Sequence, residues 1–271
     1  MTMIKYLFSD MDGTLLDAEG YVSDENAKAL SNAQLPLSLV SARSAIEMDE
    51  AIEALDLTTL QVAFNGGLIY RPTPEGRKIY SQTPLEFDVA KRIILDLRAA
   101  FPSLSVSFYD VDAWFTDQFD AGIELEERIT RQRYTLVNLQ EKLAQTNLIL
   151  FKIMMVTFSM EELQEVEAFL QEHYSNERIN VQRSGHGYLE VTHCDAQKAR
   201  GIEFILAHEG LAAEEVAAFG DGHNDISMLR MVGKAIVMEN ASDEVKAYAD
   251  FITTANTQHG VAHALKHYIN Q

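Results

Sequence analysis

The fold is decided by a short stretch near the N-terminus, YLFSDMDGTLL at residues 6–16. Its apolar half predicts a strand, and the polar turn that begins at Asp10 follows directly. Ligands bind beyond the carboxyl ends of strands in an open parallel sheet, so Asp10 and Asp12 stand where a site is expected. A surface Asp-Gly turn is the alternative. A calcium loop of the EF-hand type is excluded, because Leu15 stands where that loop requires glycine and Tyr21 where it requires glutamate.

Both ends of the chain alternate short apolar runs with amphipathic stretches, which predicts strand-helix units around a parallel sheet. The predicted strands cover residues 5–9, 37–41, 61–64, 189–192, 216–220, 235–238 and 251–254, and the predicted helices cover residues 23–33 and 44–55. The second helix opens with Ser44 and Glu47 at capping-box spacing.

A different pattern occupies the middle of the chain. It runs through a helix ending near Phe101, two short strands around residues 110–112, acidic helical segments, an apolar strand over 148–158 and a helix capped by Ser159 and Glu162. We therefore expect an α/β protein with a Rossmann-like parallel sheet core, formed by residues 1–83 and 189–271. An α+β domain over residues 84–188 is inserted into it.

Composition narrows the classes of function. The 271 residues are 47% hydrophobic, enough for a full core, and the formal net charge is −19. Such a charge disfavours nucleic acid and anionic lipid as partners. We expect no signal peptide and no membrane span. A single cysteine, Cys194, excludes an internal disulfide and suits the reducing cytoplasm.

A second acidic turn, GDGHND at residues 220–225, follows another predicted strand. If the two turns lie at the same end of neighbouring strands, Asp10, Asp12, Asp221 and Asp225 come close together. Each pair of like charges at about 4 Å costs on the order of 4 kcal/mol at an effective dielectric near 20, so a cation is required. Carboxylate oxygens without cysteine or histidine suit Mg²⁺.

Two weaker signals accompany the acids. Ser41 ends a predicted strand and is followed by Ala42 and Arg43, where a hydroxyl and backbone N–H groups could hold a phosphate oxygen. A serine there is more often a helix cap. Lys198 begins a predicted helix, and a lone lysine is usually solvated. The turn after the third predicted strand adds Asn65 and Gly66 as candidate phosphate contacts.

In this order, the motif DMDGTLL at residues 10–16, Ser41, Lys198 and the motif GDGHNDISML at residues 220–229 resemble the four motifs of the haloacid dehalogenase superfamily. The large insertion between the second and third motifs most resembles the Cof-type phosphatases, which act on small phosphorylated metabolites. The resemblance spans nearly the whole chain. It implies a magnesium-dependent phosphoric monoester hydrolase whose insertion is a cap that selects the leaving group.

The resemblance also implies a role for each matching residue. Asp10 would be the nucleophile and Asp12 the general acid and base. Mg²⁺ would be held by the Asp10 carboxylate, the Asp12 backbone carbonyl and Asp221, with Asp225 supporting them. Phosphoryl oxygens would be bound by Ser41 and Lys198, and Asn224 would either hydrogen-bond the substrate phosphate or orient Asp10. The presence of Asp12 favours ester hydrolysis, since the family's dehalogenases lack this aspartate. Ala42 departs from the glycine that is commoner in the family.

Other functions remain open on sequence alone. A phosphotransferase or mutase shares the covalent intermediate and differs only in the nucleophile that enters. A non-catalytic phospho-acceptor module also combines acids, a hydroxyl and a lysine, although such modules are about half this length. A silent metabolite-binding regulator is disfavoured by the intact acids. In the segment that returns to the core, His186 and Tyr188 are either substrate contacts or parts of an ordinary junction turn. The sequence specifies neither the substrate nor the oligomeric state.

Overall fold

The structure is a computed structural model that describes residues 2–145 and 147–269. Its strands in chain order are β1 (Tyr6–Ser9), β2 (Leu37–Leu39), β3 (Gln61–Ala63), β4 (Leu68–Thr73), β5 (Gly76–Gln82), β6 (Ser105–Tyr109), β7 (Trp114–Thr116), β8 (Tyr134–Leu136), β9 (Lys152–Val156), β10 (Ile179–Gly185), β11 (Tyr188–His193), β12 (Val216–Gly220), β13 (Lys234–Met238) and β14 (Phe251–Thr253).

The α-helices are α1 (Asp24–Ala33), α2 (Ala45–Ala54), α3 (Phe87–Ala100), α4 (Ala121–Thr130), α5 (Leu139–Lys142), α6 (Met160–Tyr174), α7 (Lys198–Glu209), α8 (Ile226–Leu229), α9 (Asp243–Lys246) and α10 (Gly260–Ala264). Shorter helical turns cover Met11–Leu15, Phe64–Gly66, Ala213–Glu215, His223–Asp225, Asn256–Gln258 and Leu265–Ile269. None of the helices in the described ranges combines the length and apolarity needed to cross a membrane.

Chain contacts divide the protein into two compact units. The core unit comprises residues 1–43, 48–82 and 197–271, and the inserted unit comprises residues 44–47 and 83–196. We describe each unit by itself.

A five-stranded parallel sheet in the order β14-β13-β12-β1-β2 organises the core unit. One face packs against α7, α8 and α9 through an apolar cluster that includes Phe8, Ala218 and Ile202. Alternate residues such as Leu7 and Phe219 point the other way and are also fully buried. Burial on both faces is typical of parallel sheets in α/β proteins and explains why these strands are almost wholly apolar. The predicted α/β fold with a parallel core is confirmed.

The third predicted strand lies in a different sheet from the one expected. β3 pairs antiparallel with β4, and β4 with β5, in a separate sheet that adjoins the parallel one at a bridge between Val40 and Val62. The chain reverses after β3 because Phe64, Asn65 and Gly66 all adopt positive φ angles. A short reversal of this kind makes the following strand an antiparallel neighbour.

A six-stranded sheet in the order β10-β11-β9-β6-β7-β8 organises the inserted unit. The apolar face of this sheet packs against α3 and α6 through residues such as Val106, Ile153, Ile93 and Val166. Ser159 caps α6 by accepting a hydrogen bond from the Glu162 N–H at 3.2 Å, as its spacing predicts.

The strand expected to resume the core over residues 189–192 belongs instead to this second sheet. As part of β11 it pairs antiparallel with β10 on one side and β9 on the other. The short connection between β10 and β11 turns through Gly187, whose φ is +85°. Strands joined so briefly form a hairpin, which the apolar pattern of one strand alone does not reveal.

Candidate active site

Two acidic turns meet at one edge of the parallel sheet. β1 lies beside β12 with Ser9 opposite Phe219, and the Asp10 N–H donates to the Phe219 carbonyl at 3.0 Å. Asp10 and Asp221 are the next residues after these strand ends. The parallel arrangement therefore places both carboxylates at the same edge, as the sequence predicts.

Lys198, the first residue of α7, links two of these acids. Its side chain is fully buried, and its Nζ lies 2.5 Å from an Asp10 carboxylate oxygen and 2.6 Å from one of Asp225. Burial alone would lower the pKa of Lys198, but the two carboxylates outweigh burial and raise it. Lys198 is therefore a charged member of the site and not a solvated surface lysine.

The environment of Asp10 disfavours its negative charge. Burial raises its pKa well above the usual range of a carboxyl, Asp225 raises it further, and Lys198 partly offsets both. One ammonium thus faces several carboxylates, a surplus of negative charge that favours an additional cation.

Asp225 is held from both ends. While one of its oxygens accepts from Lys198, the other accepts from the backbone N–H groups of Asp221 and Gly222, each at 2.9 Å. Gly220 leaves room for this carboxylate, since a Cβ on it would lie 2.7 Å from that of Asp225. Asp225 is therefore a fixed acceptor that orders the turn and fixes the lysine.

Asp221 is oriented by residues outside the predicted set. The Thr14 hydroxyl donates to one of its oxygens at 2.7 Å, and the Asn240 amide donates to the other at 3.3 Å. That amide also donates to the Gly13 carbonyl at 2.8 Å, while the Asn240 side-chain oxygen accepts from the Asn256 N–H at 3.0 Å. Burial raises the pKa of Asp221 to about 6. Thr14 lay within the quoted motif, whereas nothing in the sequence distinguished Asn240.

The donor set fits a hard divalent cation. Carboxylate oxygens of Asp10, Asp221 and Asp225 lie within 4.8 Å of one another. Oxygen-only ligands suit Mg²⁺, which commonly keeps waters and uses only one or two protein carboxylates. Because Asp225 already accepts three hydrogen bonds, Asp10 and Asp221 are the better placed ligands.

Asp12 lies outside that cluster. Its carboxylate accepts two hydrogen bonds from the Arg43 guanidinium, at 2.8 and 2.6 Å, and its side chain remains 61% exposed. The pair is bidentate, which fixes the orientation of the Asp12 carboxylate. Arg43, a candidate phosphate contact, is thus placed against the predicted general acid.

The candidate phosphate-binding residues Ser41, Asn65 and Asn224 are linked by hydrogen bonds within the core unit. Ser41 is buried, its hydroxyl accepts from the Arg43 N–H at 3.1 Å, and its carbonyl accepts from the Asn65 N–H at 2.8 Å. The Asn224 amide donates to the Asn65 side-chain oxygen at 3.1 Å. These hydrogen bonds connect the segment around Ser41 with the turn that contains Asn224. Ala42 lies between Ser41 and Arg43 in that segment.

Gly66 has a packing role next to Lys198. Its φ is +102°, and a Cβ there would lie 2.3 Å from the carbonyl oxygen of Gln197, the residue before the lysine. Only glycine allows the backbone to approach so closely at this φ. Gly66 therefore permits the start of α7 to lie against the turn after β3.

Known proteins of similar sequence and structure cover almost the whole chain. A family model described as haloacid dehalogenase-like hydrolase matches residues 7–265. A Haemophilus influenzae protein with a provisional phosphatase name is 30% identical over 264 residues, covering 96% of each chain. The Bacillus subtilis 5-amino-6-(5-phospho-D-ribitylamino)uracil phosphatase YcsE is 27% identical over 271 residues, covering 98% of this chain and 96% of its own. A crystal structure from Bacteroides thetaiotaomicron superimposes with a TM-score of 0.88 at 28% identity, covering 97% of this chain and 98% of its own.

Proposed function

Because the chain belongs to the haloacid dehalogenase-like hydrolases, we propose that it hydrolyses the phosphate monoester of a small metabolite through a phospho-aspartate at Asp10. The family match confirms the resemblance deduced from the four motifs. Relatives named as phosphatases align over nearly its entire length. The observation that carries the proposal is the buried Lys198 ammonium, which contacts both Asp10 and Asp225. The carboxylate of Asp221 lies at the same edge of the sheet.

The first chemical step is assigned to Asp10. Its carboxylate oxygen attacks phosphorus, the bond from phosphorus to the ester oxygen breaks, and Asp12 supplies the proton that the departing alkoxide takes up. Lys198 partly offsets the rise in the Asp10 pKa that burial causes, and so favours the ionised carboxylate that attacks. Covalent catalysis divides one hard displacement into two easier ones.

The second step regenerates the enzyme. Asp12 accepts a proton from water as the water oxygen attacks phosphorus, and the bond between phosphorus and the Asp10 oxygen breaks, releasing phosphate. Arg43 donates one hydrogen bond to each Asp12 oxygen, so each oxygen keeps a second lone pair for these proton transfers. Ser41, Lys198 and Asn224 bind the phosphoryl oxygens, on which charge stabilisation contributes most to this chemistry.

A divalent cation completes the site. Mg²⁺ held by Asp10, Asp221 and the Asp12 backbone carbonyl would neutralise charge on the phosphoryl group and screen the acids from one another. Asp225 would support this set through the turn that it fixes.

The decisive experiment uses p-nitrophenyl phosphate with Mg²⁺. We expect the protein to hydrolyse it, and we expect Asp10→Asn to abolish turnover while the circular dichroism spectrum is retained. Asp17→Asn is the matched control, because Asp17 lies in the same loop and its carboxylate accepts hydrogen bonds from the backbone N–H groups of Glu19 and Tyr21. Full activity in Asp10→Asn would exclude the nucleophile assignment, and activity unchanged by EDTA would exclude the metal.

A phospho-acceptor module would behave differently. It would take phosphate from a small donor and keep it for minutes, whereas an enzyme of the proposed kind turns its phospho-aspartate over within each cycle. Quenching with acid and timing the loss of labelled phosphate from the protein separates the two.

A further inference from the structure

The end of β11 brings together three side chains with different donor atoms. His193 is the last residue of β11, and Cys194 and Asp195 follow it directly. A ring nitrogen of the histidine, the thiol sulfur and a carboxylate oxygen all lie within 4.8 Å of one another. We call these three residues the mixed-donor cluster. All of them belong to the inserted unit, whereas the candidate active site is built from the core unit.

The backbone holds the mixed-donor cluster in a tight turn. The Ala196 N–H donates to the His193 carbonyl at 2.9 Å, which closes a four-residue turn around Cys194 and Asp195. The Cys194 N–H donates to the Arg178 carbonyl at 3.1 Å, and β11 pairs with β10 as far as His193. The turn is thereby fixed to the six-stranded sheet, so the three side chains start from anchored positions.

Hydrogen bonds also orient the donor atoms. The Asp195 N–H donates to His193 Nδ1 at 3.1 Å, so Nδ1 is the nitrogen that carries the lone pair in the neutral ring. One Asp195 oxygen pairs with the Arg178 guanidinium, and the other lies 3.9 Å from the Cys194 sulfur. The histidine is buried, while the cysteine and the aspartate are partly exposed. An ion can therefore reach the cluster from solvent.

The spacing of the donor atoms suits a tetrahedral ion. Zinc bonds of about 2.0 to 2.3 Å at tetrahedral angles hold the ligand atoms roughly 3.3 to 3.6 Å apart. The Cys194 sulfur and an Asp195 oxygen are already 3.9 Å apart, and the three donors lie within 4.8 Å of one another. Side-chain shifts of about 1 Å therefore bring all three donors to zinc-binding distances.

The chemistry of the donors determines which ion they bind. Thiolate and imidazole bind Zn²⁺ and softer ions, whereas Mg²⁺ takes oxygen ligands. A thiolate, a carboxylate and a neutral imidazole together carry two negative charges, which one divalent ion neutralises. The acid cluster of the core unit, formed by Asp10, Asp221 and Asp225, offers only carboxylate oxygens. The two clusters therefore favour different cations.

We propose that His193, Cys194 and Asp195 form a second cation site, selective for Zn²⁺ over Mg²⁺. The Cys194 thiol releases its proton to solvent as the sulfur bonds to the ion, and His193 Nδ1 exchanges the Asp195 N–H for the ion. Three protein ligands leave one tetrahedral position for water. The proposal goes beyond the phosphatase function, because none of the three residues takes part in the hydrolysis described above.

Cobalt can report on this site directly, because Cys194 is the only cysteine in the chain. Co²⁺ replaces Zn²⁺ in tetrahedral sites, and a bond between cobalt and a thiolate gives a charge-transfer band in the near-ultraviolet. We would titrate the reduced wild-type protein with Co²⁺ in the presence of excess Mg²⁺. We expect the band to saturate at one ion per chain and to disappear when Zn²⁺ is added. Absence of the band, or saturation at one ion per two chains, would overturn the proposal.

Variants test each donor. Cys194→Ser should abolish the band, and His193→Gln and Asp195→Asn should each weaken Co²⁺ binding at least about 10-fold, which is the smallest usual effect of losing a mere outer partner of a metal ligand. His173→Gln, at an exposed position of α6 in the same unit, is the matched control and should leave the affinity unchanged. Asp221→Asn should leave the band unchanged, because it alters only the acid cluster. If His193→Gln and Asp195→Asn both keep wild-type affinity and circular dichroism spectra, the assignment of the site is wrong.

Thiol labelling provides a second measurement. Cys194 is partly exposed, so we expect a maleimide to modify it in the metal-free protein. Zn²⁺ should slow this reaction at least roughly 10-fold, because a metal-bound thiolate is a weak nucleophile, whereas Mg²⁺ should have no effect. Equal protection by the two ions, or no protection by Zn²⁺, would contradict the proposal. Neither measurement depends on turnover, so failure here is distinguishable from failure of p-nitrophenyl phosphate hydrolysis.

Discussion

Glu126 should make the stability of the inserted unit fall as pH rises. It is buried in α4, and burial together with the neighbouring Glu47 raises its pKa from 4.5 to about 7. Between these two values the folded chain binds a proton that the unfolded chain has lost, so the free energy of unfolding decreases with increasing pH. At about 1.4 kcal/mol per pH unit, the interval from 4.5 to about 7 amounts to about 3 kcal/mol.

The perturbation is Glu126→Gln, which keeps the shape and removes the titration. We expect the variant and the wild type to be about equally stable near pH 4, where Glu126 is protonated in both states. At pH 8 the variant should be more stable by up to about 3 kcal/mol. Urea unfolding followed by Trp114 fluorescence reports on this unit. Glu124→Gln, at an exposed position of the same helix, is the control and should change little. A variant with an unaltered pH slope, or one less stable at pH 8, would refute the reasoning.

Four further outcomes follow from the core unit. Asp12→Asn should slow hydrolysis of an alkyl phosphate roughly 10²- to 10⁴-fold, as for a lost general acid, and a rate within a few-fold of wild type in steady-state assays would contradict this. Lys198→Met should abolish turnover and cost about 3–5 kcal/mol by urea unfolding in EDTA, because it removes the only ammonium in contact with the buried carboxylates of Asp10 and Asp225 among the described residues. Asn240→Ala should weaken Mg²⁺ binding about 10-fold by calorimetry, since it releases Asp221; an unchanged affinity would show that Thr14 suffices. Gly66→Ala should cost more stability than Gly210→Ala, because both have positive φ but only Gly66 faces a backbone oxygen at 2.3 Å; equal costs would argue against the close approach.

The acid cluster could be predicted from the sequence because it follows from a general property of parallel sheets. Any two strands that lie side by side and parallel carry their following residues to one edge, so Asp10 and Asp221 needed only neighbouring strands to meet. Lys198 carried no signal of its own, and only the order of the four motifs indicated its place.

Sheet membership was less predictable. The pattern of residues 189–192 fits a buried strand of either unit, and only pairing with β9 and β10 assigns it to the inserted sheet. The buried charge in the inserted sheet was obscured for the same reason. Lys152 lies in a stretch that reads as an unusually apolar strand, and the partners of its charge come from other strands and helices.

Asn240 illustrates a different limit. A single asparagine after a strand is an ordinary loop residue, and its contacts with Gly13 and Asp221 arise only once distant segments are assembled. Arg43 likewise suggested a phosphate contact, whereas its pairing with Asp12 depends on the relative placement of two strand ends.

The position of β1 between β2 and β12 in the sheet has a consequence for synthesis of the chain. Thr14 and its partner Asp221 are 207 positions apart, and the strand between them that completes the pairing of β1 is β12. At 5–20 residues per second a ribosome needs roughly 10 to 40 s to make that length. Throughout that interval the first strand to emerge has one unpaired edge, and such edges invite aggregation. Nascent chains that stall before residue 216 should therefore depend on chaperones and possess no phosphatase activity.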